Sequence, residues 1–245
     1  MLYFGIPLKP RRFSRNWEQV VANFHTTLRS VLNQSDPNFR VVVACSDELP
    51  QGPRDPRVEF IHVPPAPSVS EPGEWDRRWR VWSIGQYIRE RGGGAVMMVD
   101  ADDLVSCRIA AFANSHAEGD GYIARTGYEL DDRTGRLRWA PRFWNLCGTC
   151  AVTRVWPDDI PDVFDRHFPE TVYGTQHQHL RRRFQSWGRT LRWFPFPVAV
   201  YRVFTGDNLR ELLGDDFGWK HQVLRRLIPS RRPTPEQRRE FWGEA

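Results

Sequence analysis

The segment Val99-Asp100-Ala101-Asp102-Asp103 carries the strongest chemical signal in this sequence. Carboxylates packed this tightly repel one another, and a nearby cation relieves the repulsion. Asp100 and Asp102 are separated by one residue, so in an extended segment both side chains point to the same side. Two hard oxygen ligands, with the remaining positions left to water and phosphate, describe an Mg²⁺ or Mn²⁺ site that works with a diphosphate. A solvated acidic turn, with Asp102 capping the next helix, has the same composition. The context favours a site, because the apolar run Ala95-Val96-Met97-Met98-Val99 leads straight into the cluster.

Elements that could position such a cluster are legible before it. Leu2 to Ile6 is an apolar run closed by Pro7, which predicts a first strand. Asn16, with Gln19 three residues on, predicts a helix start of the capping-box type. Trp17, Val20, Val21, Phe24, Leu28, Val31 and Leu32 then recur at helical spacing. Phe39 to Ala44 and Val58 to Val63 read as buried strands, the second closed by Pro64-Pro65. Ser68 to Gly73 reads as a loop. Trp75, Trp79, Trp82 and Ile88 predict a second helix, ended by Gly92-Gly93-Gly94. The order is β-α-β-β-α-β, which predicts a mainly parallel sheet flanked by helices. Ligands of such sheets bind at the carboxyl ends of the strands, where Asp47 and the acidic cluster both fall.

The second half is less regular. Ile109 to His116 predicts a short helix. Tyr122 to Leu130 and Leu137 to Trp139 predict a hairpin, and Phe143 to Val152 a further strand. Thr175, with Gln178, predicts another capped helix with Leu180, Phe184 and Trp187 on its apolar face. Leu191 to Phe204 reads as a strand leading to Thr205-Gly206-Asp207-Asn208. Residues 1–208 are expected to form one α/β domain, with 1–105 the nucleotide-binding half and 106–208 the acceptor half. Residues 209–245 form a basic amphipathic extension.

Composition narrows the class. The chain is 40% hydrophobic with a net charge of +5, and nearly all its positive charge is arginine. The charge is spread along the chain, so no nucleic-acid partner is expected. Four cysteines do not make a secreted disulfide framework. The N-terminus lacks a signal-peptide pattern and no stretch is apolar enough to span a membrane. A cytoplasmic protein is expected, with the Arg225 to Arg239 tail available for peripheral contact at the inner face of the membrane. The same tail could instead wrap its own domain.

Met97-Met98-Val99-Asp100-Ala101-Asp102-Asp103 resembles the D-x-D segment of GT-A-type glycosyltransferases, especially the bacterial family two group. Leu2 to Pro7 is similar to that family's first strand and donor loop. Asp47 sits where the family places an acidic residue on the nucleobase. Tyr173 to Asn208 looks like its closing segment. The resemblance implies a GT-A-type, Rossmann-like fold and a nucleoside-diphosphate sugar donor bound by Pro7, Asp47, Arg80 and Asp100. It implies Mn²⁺ or Mg²⁺ on Asp100 and Asp102, and a glycan or lipid-linked acceptor in bacterial polysaccharide synthesis. Inverting members carry an acidic base at the late helix, often as Glu-Asp. This chain has Thr175-Gln176-His177-Gln178-His179 there, which leaves His177 as base, as metal or phosphate ligand, or as a packing residue on the face of Leu180 and Phe184, with Asp103, Asp131 and Asp132 as competitors for the base.

Three weaker signals remain. Cys147-Gly148-Thr149-Cys150 could be half of a zinc site with His177 and His179, a redox pair, or buried packing. Arg77, Arg78 and Arg80 precede the acidic strand, and the Trp residues could stack on a sugar ring. A catalytically altered nucleotide-binding or scaffold module is a second reading. A sugar nucleotidyltransferase is disfavoured, because Pro7-Leu8-Lys9-Pro10-Arg11-Arg12 contains no glycine for a phosphate loop.

Overall fold

The computed structural model describes residues 1–47, 55–64, 66, 74–165, 167–206 and 227–244. The expected loop at Ser68 to Gly73 and most of the extension before residue 227 lie outside them, as do Asp207 and Asn208.

The first half follows the predicted order: β1 (Leu2–Pro7), α1 (Trp17–Leu32), β2 (Phe39–Cys45), β3 (Val58–His62), α2 (Glu74–Arg89) and β4 (Gly94–Met98). Asn16 caps α1 by accepting from the Gln19 amide. Gln19 does not return the bond; its side chain donates to Asn23, so half of the expected box forms. Behind α2, Gly92 and Gly93 take positive φ angles of 84° and 80°. A side chain at Gly93 would also strike the Val155 carbonyl, 2.4 Å from an ideal Cβ, so this stop requires glycine.

The second half supplies β5 (Leu104–Val105), α3 (Ile109–Ser115), β6 (Gly121–Ile123), β7 (Thr126–Asp131) and β8 (Arg136–Pro141). It continues with α4 (Phe143–Leu146), β9 (Ala151–Val155), α5 (Leu180–Ser186), β10 (Arg192–Trp193) and β11 (Ala199–Val203). Beyond residue 226 come β12 (Ser230–Arg231) and α6 (Pro235–Trp242).

These strands form two sheets. The seven-stranded sheet has the order β10-β6-β9-β4-β1-β2-β3. Strands β3, β2, β1 and β4 are mutually parallel, whereas β9 runs antiparallel to both β4 and β6. The fold is therefore mixed α/β with a mostly parallel central sheet. Strand alternation divides its core. Phe4, Val41, Val43, Met97 and Val99 pack toward α1, while Tyr3, Val42, Ala44 and Val96 pack toward Ile84 and Ile88 of α2. The five-stranded sheet, β12-β8-β7-β11-β5, was not anticipated.

Three local expectations are corrected. Phe143 to Val152 is not one strand. Arg142 adopts a left-handed φ of 55°, Phe143 opens a helical turn, and the strand begins at Ala151. The Phe143 ring fills space that only glycine leaves at position 127. A short apolar run does not reveal such a path by its period. Leu191 to Phe204 divides into β10 and β11, which lie in different sheets; Pro195 and Pro197 lack the N–H groups that a continuous strand would need. Finally, the late helix starts at Leu180 with His179, not Thr175, at its cap position. The Thr175 hydroxyl donates to the Thr171 carbonyl instead of capping, so His177 lies in the turn before the helix and feels no first-turn dipole.

The described part of the tail packs on the body. Thr234 and Gln237 form a reciprocal capping box on α6, Phe241 is buried, and Glu240 accepts from Ser106 and Arg108. Among the described residues no helix is long and apolar enough to cross a membrane.

Candidate nucleotide and metal site

After β1 the chain turns to one side of the sheet for β2 and β3, then returns to the other side for β4. The sheet therefore has a topological switch point between β1 and β4, where a crevice opens at the strand ends. A cleft of about 550 Å³ lies there, and its walls include Pro7, Lys9, Arg80, Asp100, Asp102 and His177. Five of the seven residues singled out from sequence thus share one cavity; Asp47 and Asp103 do not line it.

Asp100 extends β4 past the sheet. Its amide donates to the Thr149 hydroxyl at 2.9 Å. One carboxylate oxygen, Oδ1, accepts from Nη2 of Arg77 at 2.6 Å and from Nε at 3.2 Å. The other, Oδ2, lies against Gly148, where an added Cβ would approach to 2.7 Å. Gly148 is therefore the clearance that lets Asp100 reach the cleft. Gly148→Ala is expected to fold normally, because only the tip of one side chain must move. It should weaken Mn²⁺-dependent nucleotide binding about tenfold by swinging Asp100 out of position, as titration calorimetry would show. Unchanged affinity would separate Asp100 from binding.

Asp102 projects into the same cleft and accepts from the Thr205 hydroxyl at 3.1 Å. Burial, reinforced by the Asp100 charge, pushes its carboxyl up to about 6. Among the described residues no group of three or more His, Cys, Asp or Glu side chains could hold a metal ion. Asp100 and Asp102 are the two carboxylates of the acidic turn that line the cleft.

Asp103 plays a different part. It is fully buried. Its Oδ2 accepts from the Thr149 hydroxyl at 2.7 Å and the Cys147 thiol at 3.0 Å, and its Oδ1 accepts from the Arg202 amide at 3.2 Å. Burial and the charges of Asp102 and Asp100 push its carboxyl well up. All its contacts are internal, so it braces the acidic turn from behind. Cys147 and Cys150 are free, buried thiols, both pushed up by burial. Cys147 serves Asp103 as a hydrogen-bond donor. The apparent half-site is thus the back wall of the acidic turn. Sequence reasoning did not find Thr149, Gly148 or Thr205, because their roles depend on three distant segments converging.

The other candidates are placed as follows. Asp47 accepts from the Arg11 amide at 2.9 Å, which ties down the loop after β1. Arg80 is fully buried, donating to Asp76 and to the Ser46 hydroxyl, while its Nη1 has no partner. His177 holds Nδ1 2.7 Å from the Trp144 carbonyl. A carbonyl only accepts, so Nδ1 carries the proton. Asp132 is clamped by the Arg202 guanidinium and Asp131 by Arg133, so neither competitor enters the cleft. Trp75, Trp79 and Trp82 gather with Phe164 in an aromatic cluster outside it.

The raised carboxyls set a pH dependence. A folded-state pKa above the unfolded value means that the native state binds more protons between about pH 4, the unfolded aspartate value, and the raised value. Stability without metal is therefore expected to fall as pH rises from about 4 to 6, the window that Asp102 defines. Urea melts without metal should show this decline, and Asp102→Asn should flatten it.

No family model matches the chain, and no curated protein matches it. TarS from S. aureus is similar in structure, with 15% identity and a TM-score of 0.44 over 82% of this chain and 36% of TarS. The chain thus spans about a third of TarS. A second similar structure, described as a candidate nucleotide-diphospho-sugar transferase from Desulfovibrio desulfuricans G20, has 11% identity and a TM-score of 0.39. That match covers 92% of this chain and 93% of the other. Likeness at this level carries no argument about chemistry, so the functional reading rests on the site itself.

Proposed function

We propose that this protein is a metal-dependent glycosyltransferase of GT-A type that moves a sugar from a nucleoside-diphosphate donor to a hydroxyl acceptor. The observation that carries the reading is the convergence of Asp100 and Asp102 with Lys9, Arg77 and Arg78 at the switch point of the parallel sheet. Carboxylates suit a cation and guanidinium groups suit phosphate oxygens. Their meeting in one cleft suits a metal-bound diphosphate.

The residues divide the work. Asp100, oriented by Arg77, and Asp102, oriented by Thr205, would hold Mn²⁺ or Mg²⁺. The bound ion would supply Lewis-acid stabilisation of the departing diphosphate. Lys9 and Arg78 add positive charge at the mouth, where negative charge accumulates as the sugar leaves. His177, which lines the cleft with Nδ1 fixed on the Trp144 carbonyl, is the candidate base for the hydroxyl proton.

The testing experiment is turnover of a panel of nucleotide sugars with and without Mn²⁺, read as release of the free nucleotide. Mn²⁺-dependent release of one nucleotide supports the reading. Nucleotide binding with no release from any donor favours the altered, non-catalytic module instead.

A further inference from the structure

The hydroxyl that holds Asp102 is itself held in place. Thr205 lies past the end of β11, and the chain reaches it through a sharp bend, because Phe204 adopts a left-handed φ of 63°. A bulky residue seldom takes that conformation, and where it does the surroundings must fix it. Three contacts do so here. The Arg133 guanidinium sits over the Phe204 ring, 3.3 Å from its centroid. The Asp132 amide donates to the Val203 carbonyl at 3.1 Å. Beyond the bend, Nδ2 of Asn23 donates to the Thr205 carbonyl at 3.3 Å.

Asn23 belongs to α1, which the sequence reads as an apolar stripe. Within that stripe Asn23, Thr27 and Ser30 fall on one line, about one and two turns apart, and all three are buried. The two ends of this polar seam grip two different segments of the acidic site. Ser30 donates its hydroxyl to the Val105 carbonyl at 3.1 Å and accepts from the Val105 amide at 2.8 Å. Val105 lies in β5, which follows the acidic turn directly and ends the five-stranded sheet. Ser30 therefore stands where a further strand would pair. Asn23 grips Thr205. Its Oδ1 accepts from Nη2 of Arg202 and from Nε2 of Gln19, each at 3.1 Å, which leaves Nδ2 as the donor to Thr205. One rigid helix thus spaces the strand that leaves Asp103 from the bend that brings Thr205 to Asp102.

We infer that Asn23 is a positioning residue of the metal site, setting through the Thr205 backbone the place where the Thr205 hydroxyl holds Asp102. The inference rests on Asp100 and Asp102 being the metal and diphosphate ligands. Removing a group that orients a metal ligand lowers affinity by about ten- to a hundredfold. Asn23 acts one bond further out than Thr205, so the lower figure applies. An asparagine that merely supported the fold would lower stability and leave the affinity of the folded protein unchanged.

The test is a double-mutant cycle on Mn²⁺-dependent affinity for UDP, GDP and dTDP, measured by calorimetry on the full chain in the cold. Asn23→Ala and Thr205→Val should each weaken binding about tenfold. The double variant should also lose about tenfold and not about a hundredfold, because both changes release the same carboxylate. Thr27→Val alters the same buried face of α1 at a hydroxyl with no hydrogen-bond partner, and should leave the affinity unchanged. Gln19→Ala, at an exposed position, frees the Asn23 amide and should weaken binding about threefold; it carries the test if Asn23→Ala does not fold. Wild-type affinity in folded Asn23→Ala, or in Gln19→Ala where Asn23→Ala does not fold, would overturn the role of Asn23 alone. So would independent losses that multiply in the double variant, or a loss in Thr27→Val equal to that in Asn23→Ala. A wild type with no Mn²⁺-dependent binding of any of these nucleotides overturns the diphosphate reading, and the positioning role with it.

Discussion

Asp102→Ala is expected to lower sugar-transfer turnover by roughly 10³-fold, on the order of 4 kcal/mol of transition-state stabilisation. The same change should erase the Mn²⁺-dependent part of nucleotide binding. Asp102 is one of the two carboxylates that reach the cleft from the acidic turn, and no third acidic or histidine ligand stands ready to replace it among the described residues. Metal-independent stability should move the other way. Asp102 is a costly charge, with its carboxyl raised to about 6 by burial and by Asp100. The alanine variant without metal should therefore melt no lower than the wild type at pH 7.5. Losing activity while retaining or gaining stability separates a ligand from a structural residue. Equal losses in both would assign Asp102 to the scaffold.

The second large effect should fall on stability. Asp103→Ala is expected to cost about 3–5 kcal/mol, because it leaves the Thr149 hydroxyl, the Cys147 thiol and the Arg202 amide without their buried acceptor. In a chain of this size that corresponds to a fall of about 10 °C in melting temperature. The acidic turn should loosen with it, so Mn²⁺-dependent binding should weaken even in the cold, where the variant remains folded. Urea melts at constant pH measure the first effect directly. A loss below 1 kcal/mol would mean that the three donors find water, and that Asp103 does not brace the turn.

The contrast between these neighbours shows how far the sequence could be read. The apolar run correctly marked a buried strand, but Asp100 to Asp103 form a turn closed by the Asp103 amide on the Asp100 carbonyl, so Asp100 and Asp102 line the cleft from a turn and not from the expected extended segment. The parallel half was legible because α1 carries a long periodic stripe and the strands are bounded by proline and glycine. Helix α2 was legible less by its tryptophans, which lie outside the core, than by its glycine stop, and it buries Asp76 and Arg80 beside Val81, Ile84 and Ile88. Asp103 was not separable from its neighbours by spacing. Its role depends on Thr149, in the turn before β9, and on Arg202 of β11. The Cys147–Cys150 pair resembled a metal half-site for the same reason, since nothing local discloses that Cys147 faces Asp103. The late helix was placed four residues early because Thr175 and Gln178 imitate a capping box, whereas His179 is the cap. The Thr171 carbonyl takes the Thr175 hydroxyl instead. The five-stranded sheet joins short strands distant in sequence, and a two-residue strand such as β5 has no period to detect.

The site unites these segments. The first half contributes the switch point, Lys9 and the arginines of α2. The second half contributes the loop that seats Asp100, the hydroxyl of Thr205 and the imidazole of His177. Each half alone leaves the acidic turn unsupported, so the cleft is a property of the whole domain.

The central claim is that this cleft binds a nucleoside diphosphate through a divalent cation on Asp100 and Asp102. Thermal melting of the full chain with UDP, GDP, CMP and dTDP, each with and without Mn²⁺, addresses it most directly. The account predicts a rise of several degrees, on the order of the 1–3 kcal/mol that ligand excess supplies, for at least one nucleoside diphosphate with Mn²⁺. Neither component alone should reproduce it, and Asp102→Ala should abolish it. No rise with any nucleotide and Mn²⁺, or a full rise in the Asp102→Ala variant, would contradict it.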